Sequence, residues 1–86
     1  MARTSASQKL GKRLKQLRLE SGLTQEKLSI ATGLSQTYIS GVENGIRNPS
    51  IKTLDKLAKA LGVSISDITN FKTYKLKDNS RVIRHL

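Results

Sequence analysis

Between Ser35 and Asn44 the chain reads Ser-Gln-Thr-Tyr-Ile-Ser-Gly-Val-Glu-Asn, and its polar side chains are of a kind that recognises rather than reacts. If this segment is helical, Ile39 and Val42, three residues apart, mark its buried side. Gln36, Thr37, Ser40 and Gly41 then turn outward as a small, uncharged face of amide and hydroxyl groups. Amides and hydroxyls both donate and accept hydrogen bonds, which is the chemistry needed to read the edge of a base.

Bond-breaking chemistry needs convergent reactive groups, and the sequence offers few. There is one histidine, His85, next to the C-terminus, where a mobile surface residue is the simpler reading. There is no cysteine, and the six acids are scattered. No glycine-rich lysine loop and no metal-ligand spacing of histidines or acids occurs. Asn48-Pro49-Ser50 fails as a glycosylation site because proline takes the middle position. We therefore expect neither an enzyme nor a cofactor.

An outward-facing helix is useful only if its neighbours hold it in place. Thr24 to Asn44 reads as two short helices and a tight turn. Leu28 and Ala31 are expected to face inward from the first, Leu34 from the turn, and Ile39 and Val42 from the second. Gly33 ends the first helix and Ser35 caps the second, which is expected to run to Gly45. Gly41 in a helix interior costs up to about 1 kcal/mol relative to alanine, and suggests a close approach to a neighbouring helix or to a groove floor, a tolerated neutral glycine being the alternative. Before this pair, Leu10, Leu14 and Leu17 form the stripe of a helix starting at Ser7 and stopping at Ser21-Gly22. After it, Pro49 and Ser50 lead into a fourth helix with Leu54, Leu57, Ala58 and Leu61 at i, i+3, i+4 and i+7. Ile51 is expected to help close the core. Ser64-Ile65-Ser66-Asp67 has the form of a capping box for a short fifth helix reaching about Asn70.

Eighty-six residues without cysteine make one domain stabilised by helix packing. The expected fold class is all-α, a compact five-helix bundle over residues 7–70. A flexible arm (1–6) precedes it, and a basic extension (71–86) follows as a β-hairpin or a tail. No apolar run approaches the ~18 residues of a membrane span, and Met1-Ala2-Arg3 is followed by polar residues rather than a signal-peptide core. A soluble, cytoplasmic protein is expected.

The net charge is +10, and its distribution is uneven. Met1 to Arg18 holds Arg3, Lys9, Lys12, Arg13, Lys15 and Arg18 with no acid, contributing +6; Phe71 to Leu86 contributes +4; the middle sums to zero. A basic run alone is as readily a solvated surface as a binding site. Flanking an outward hydrogen-bonding helix, it points to a polyanion, whose phosphates supply most non-specific affinity.

Gln25, Leu28, Gly33, Leu34, Ser35, Ile39, Ser40, Val42, Glu43, Asn44 and Gly45, in that order and spacing, resemble the helix-turn-helix DNA-binding domains of the Cro and phage-repressor type. Leu14, Leu17 and Arg18 before them, and Leu54, Leu57, Ala58, Leu61 and Gly62 after, extend the likeness over roughly 10–68. Two positions depart from the family pattern: Ser29 stands where alanine is usual, and Gly41 where relatives often place a long base-reading side chain. The resemblance implies a lambda repressor-like fold and a sequence-specific regulator of transcription, a dimeric repressor on double-stranded DNA. The third helix would enter the major groove and the second would straddle the backbone. It implies base-reading by Gln36, Thr37 and Ser40, and phosphate-binding by Gln25, Tyr38, Asn44, Arg47 and Lys52. It also implies an ion pair between Arg18 and Glu43 that ties the first helix to the third.

A homodimer is expected because one domain reads only a few base pairs. Ile65, Ile68, Phe71, Tyr74 and Leu76 are the apolar residues available for it, shared with the monomer core. The competing reading is a protein-interaction module, such as an antitoxin that regulates its own operon while its C-terminal extension masks a protein partner. RNA is disfavoured because the three aromatics form no stacking platform.

Overall fold

A serine or threonine hydroxyl opens every helix among the described residues. The computed structural model describes residues 5–70, which form α1 (Ala6–Glu20), α2 (Gln25–Thr32), α3 (Gln36–Glu43), α4 (Ile51–Leu61) and α5 (Ile65–Thr69). Ser5, Thr24, Ser35, Ser50 and Ser64 each accept a hydrogen bond from the backbone N–H three residues on. Each such cap is worth about 1 kcal/mol relative to alanine. At Ser5 the box is reciprocal, since the Gln8 side chain accepts from the Ser5 N–H at 2.9 Å. That is why α1 begins at Ala6 rather than Ser7. At Ser64 the Asp67 carboxylate accepts from both the backbone N–H and the hydroxyl. Those bonds, with Arg13 nearby, hold the Asp67 carboxyl below its usual range.

The core consists of Leu14, Leu17, Leu28, Ile39, Val42, Leu54, Leu57, Ala58, Leu61 and Ile68, with Leu10, Leu23, Leu34, Tyr38, Val63 and Ile65 packed partly buried against it. α1 packs on α3 and α5, α2 on α3 and α4, and α4 on α5. The result is an all-α five-helix bundle, with no strand among the described residues. Arg13 fastens α5 to α1 by donating from Nε to the Asp67 carbonyl at 2.7 Å. Ile68 is fully buried, so it completes the monomer core and is not free for a dimer contact.

Three expectations are corrected. Ala31 is exposed, because the inward stripe of α2 is Gln25, Leu28, Ser29 and Thr32, at i, i+3, i+4 and i+7, and three of its four members are polar. Ile51 is 70% exposed, as the first residue of α4 it lies beyond the packed stripe that starts at Leu54. α3 ends at Glu43 with Asn44 as its C-cap, two residues earlier than Gly45, which takes a positive φ.

The polar stripe of α2 does its work at the turn. The Ser29 hydroxyl donates to the Leu34 carbonyl, and the Thr32 hydroxyl accepts from the Leu34 N–H while donating to the Leu28 carbonyl. Gly33, with φ 78°, lets the chain reverse between them. The turn is therefore closed by hydroxyls on both sides, which accounts for serine rather than alanine at position 29.

The expected arm lies outside the described residues from Met1 to Thr4, as do Arg3, the whole extension Phe71–Leu86 and His85 within it.

Candidate nucleic-acid interface

α3 presents the outward face that its sequence calls for. Gln36 and Thr37 are exposed in its first turn, and Ser40 is half-buried one turn on. Together with Gln25 they line an open, shallow concavity of about 380 Å³. Gln25 comes from the first turn of α2, so the concavity lies between the starts of two helices. The unpaired N–H groups of helix starts favour an anion there.

Behind this face stands the buried pair. Arg18 Nε donates to Glu43 Oε2 at 2.6 Å and Nη2 to Oε1 at 3.1 Å, a two-pronged contact with side chains 7% and 2% exposed. Arg18 Nη1 donates to the Leu23 carbonyl at 2.8 Å, so the same guanidinium also fixes the connection from α1 to α2. Gln25 Nε2 donates to Glu43 Oε1 at 3.0 Å. One carboxylate at the end of α3 thereby gathers α1, the α1–α2 connection and the start of α2. The structure brings Arg18, Glu43 and Gln25 together. The Arg18–Glu43 pairing was anticipated; the link from Gln25 was missed. Its sequence signal was the i, i+3, i+4, i+7 row, which puts Gln25 on the inward side of α2. Because one N–H is committed to Glu43, Gln25 keeps one N–H and its carbonyl oxygen for other partners.

Close backbone packing sets the position of α3. Gly11 of α1 is buried, and a Cβ placed there would collide with the Val42 carbonyl and stand 2.5 Å from that of Glu43. Only glycine lets α1 approach the end of α3 so closely, a requirement the sequence reading overlooked. Within the chain, Gly41 makes room for a loop side chain rather than for a neighbouring helix. A Cβ on it would lie 2.7 Å from Arg47 Cγ, so it accommodates the stem of a loop side chain.

The remaining site residues surround this face. Tyr38 is half-buried with its ring against the core, and no hydrogen bond engages its hydroxyl among the described residues. Asn44 is exposed, with Nδ2 3.4 Å from the Ser40 hydroxyl. Arg47 and Lys52 are exposed, and neither is paired with an acid among the described residues. Among the described residues the ion pairs are Arg18–Glu43 and a solvent-exposed Lys59–Asp55 pair. No group of three or more potential metal ligands comes together there, and no helix is long and apolar enough to cross a membrane.

Comparison with known proteins agrees with this architecture. The control protein C.BamHI of Bacillus amyloliquefaciens is 44% identical over 64 residues, which cover 73% of this chain and 79% of that protein. The uncharacterised HTH-type transcriptional regulator y4dJ of Sinorhizobium fredii (strain NBRC 101917 / NGR234) is 51% identical over 55 residues, covering 64% of this chain and 71% of its own. Among solved structures, the restriction-modification controller protein C.Esp1396I, a tetramer in complex with its natural 35 base-pair operator, superposes with a TM-score of 0.72. It is 35% identical, and the match covers 87% of this chain and 99% of the other. All three are named as control, controller or regulatory proteins. The helix-turn-helix family HTH_3 matches residues 14–68, from the second half of α1 to the end of the core. The chain belongs to this helix-turn-helix family of DNA-binding transcriptional regulators.

Proposed function

We propose that the protein is a sequence-specific double-stranded DNA-binding repressor that works as a homodimer and lays α3 in the major groove. The observation that carries this reading is the exposed, uncharged start of α3, with Gln36, Thr37 and Ser40 beside the start of α2. Glutamine can make a bidentate pair with adenine, and the threonine methyl group can touch that of thymine. Gln25, Tyr38, Asn44 and Lys52 hold phosphates and fix the register of the domain on the duplex. Helix α2 crosses the backbone, and the Glu43 network keeps its first turn aligned with α3. A relative that assembles as a tetramer on its operator supports action by more than one copy. The antitoxin alternative rests on residues 71–86, which lie outside the described residues.

Selection from a pool of random duplexes tests the proposal. The expected product is a two-fold-symmetric site with half-sites about one helical turn apart, or a multiple of it. Recovery of duplexes with no common sequence would overturn it.

A further inference from the structure

Gly41 stands on the outward face of α3, one turn after Thr37 and next to Ser40, and it brings no side chain of its own to that face. The place is taken from outside the helix. Arg47 Cγ lies 2.7 Å, and its Cβ and Nε each 3.7 Å, from where a Gly41 Cβ would be. The stem of Arg47 is thus laid against the α3 backbone one turn beyond Thr37. Its own backbone is pinned there, because the N–H groups of Ile46 and Arg47 both donate to the Gly41 carbonyl, at 2.8 and 3.1 Å.

The guanidinium beyond that stem is uncommitted. Of the three arginines among the described residues, Arg18 is spent on Glu43 and Leu23, and Arg13 on Asp67 and Gln16. The Arg47 side chain makes no hydrogen bond and no ion pair there, so all the donors of its guanidinium remain available. An arginine fork matches O6 and N7 of guanine in the major groove, the commonest specific contact between protein and base.

Resting on the proposed DNA-binding function, we infer that Arg47 is a base-reading residue directed at guanine, which Gly41 positions by leaving room for its stem. The loop supplies the long side chain that α3 lacks. This differs from the phosphate role implied by resemblance, since a phosphate contact needs only charge, whereas reading guanine needs the planar fork.

The test measures affinity for the selected duplex, for each single base-pair substitution of it, and for a random duplex. Arg47→Lys keeps the charge and removes the fork. It should weaken the selected duplex roughly 5- to 100-fold, abolish preference at one G·C pair, and leave random-duplex affinity and its salt dependence within about two-fold. Gly41→Ala removes the room for the stem. It should erase preference at the same G·C pair without lowering the melting temperature, and the double variant should bind no worse than Arg47→Lys. Retention of every base preference by Arg47→Lys, or equal weakening of selected and random duplexes, would overturn the inference and leave the DNA-binding reading standing. Failure of the unaltered protein to select any site would overturn both.

Discussion

Glu43 ties together α1, the start of α2 and the end of α3. Its carboxylate receives Arg18 in two-pronged contact and Gln25 in addition, out of contact with water. Removing one member of a buried charge pair strands the other, which costs about 3 to 5 kcal/mol, whereas an exposed pair is worth under about 1. Arg18→Met and Glu43→Leu should therefore each destabilise strongly, and the double variant should lose less than the sum. Additive losses in denaturant unfolding would contradict the coupling. On the outward face, Gln36→Ala should cost roughly 1 to 3 kcal/mol on the selected duplex and relax preference at one base pair. Lys52→Ala should weaken all duplexes alike; indistinguishable behaviour of the two variants would reverse the division of roles. At this scale the sequence showed which side chains of α3 face outward, because the spacing of Ile39 and Val42 marks its buried side. It did not show Gln25 meeting Glu43 or Arg47 lying on Gly41, since both contacts join residues brought together only by helix packing.

Helix boundaries were legible because their chemistry is local. Each start carries a hydroxyl whose partner is three residues away, and Gly33 and Gly62 mark stops with positive φ. Errors arose where apolar identity was taken to mean burial. Ala31 and Ile51 are exposed, while the hydroxyls of Ser29 and Thr32 face the turn and are satisfied there. A hydroxyl with a local acceptor can sit inward without penalty, and apolar spacing alone cannot see that. Close helix crossing was likewise hidden, because Gly11 looks like a tolerated glycine within a good helix. Gly11→Ala improves helix propensity by up to about 1 kcal/mol, yet it drives a methyl group into the carbonyls of Val42 and Glu43. Overpacking of this kind costs about 1 to 3 kcal/mol and occasionally more. Net destabilisation is expected in thermal unfolding, and a stabilised Gly11→Ala would show that α1 and α3 are not in close contact there.

For the whole molecule, charge and shape have separate tasks. The +10 net charge, with few acids available to pair the exposed bases, supplies attraction to any duplex. Affinity should fall with salt by about 0.9 in logarithmic slope for each phosphate contacted; a flat response between low and physiological salt would contradict that attraction. In the proposed function, specificity comes from the exposed start of α3, behind which lies the Arg18–Glu43–Gln25 network. Fold class and family position were readable over the whole bundle because caps, glycines and core positions agree with one another. The measurement that tests the central claim most directly is the ratio of affinities for the selected duplex and a scrambled duplex of equal length and composition, at physiological salt. A regulator that reads bases through α3 should favour its site by about a thousand-fold or more, and most of that ratio should vanish in a Gln36→Ala, Thr37→Ala double variant. A ratio near one in the unaltered protein would mean that α3 reads no bases.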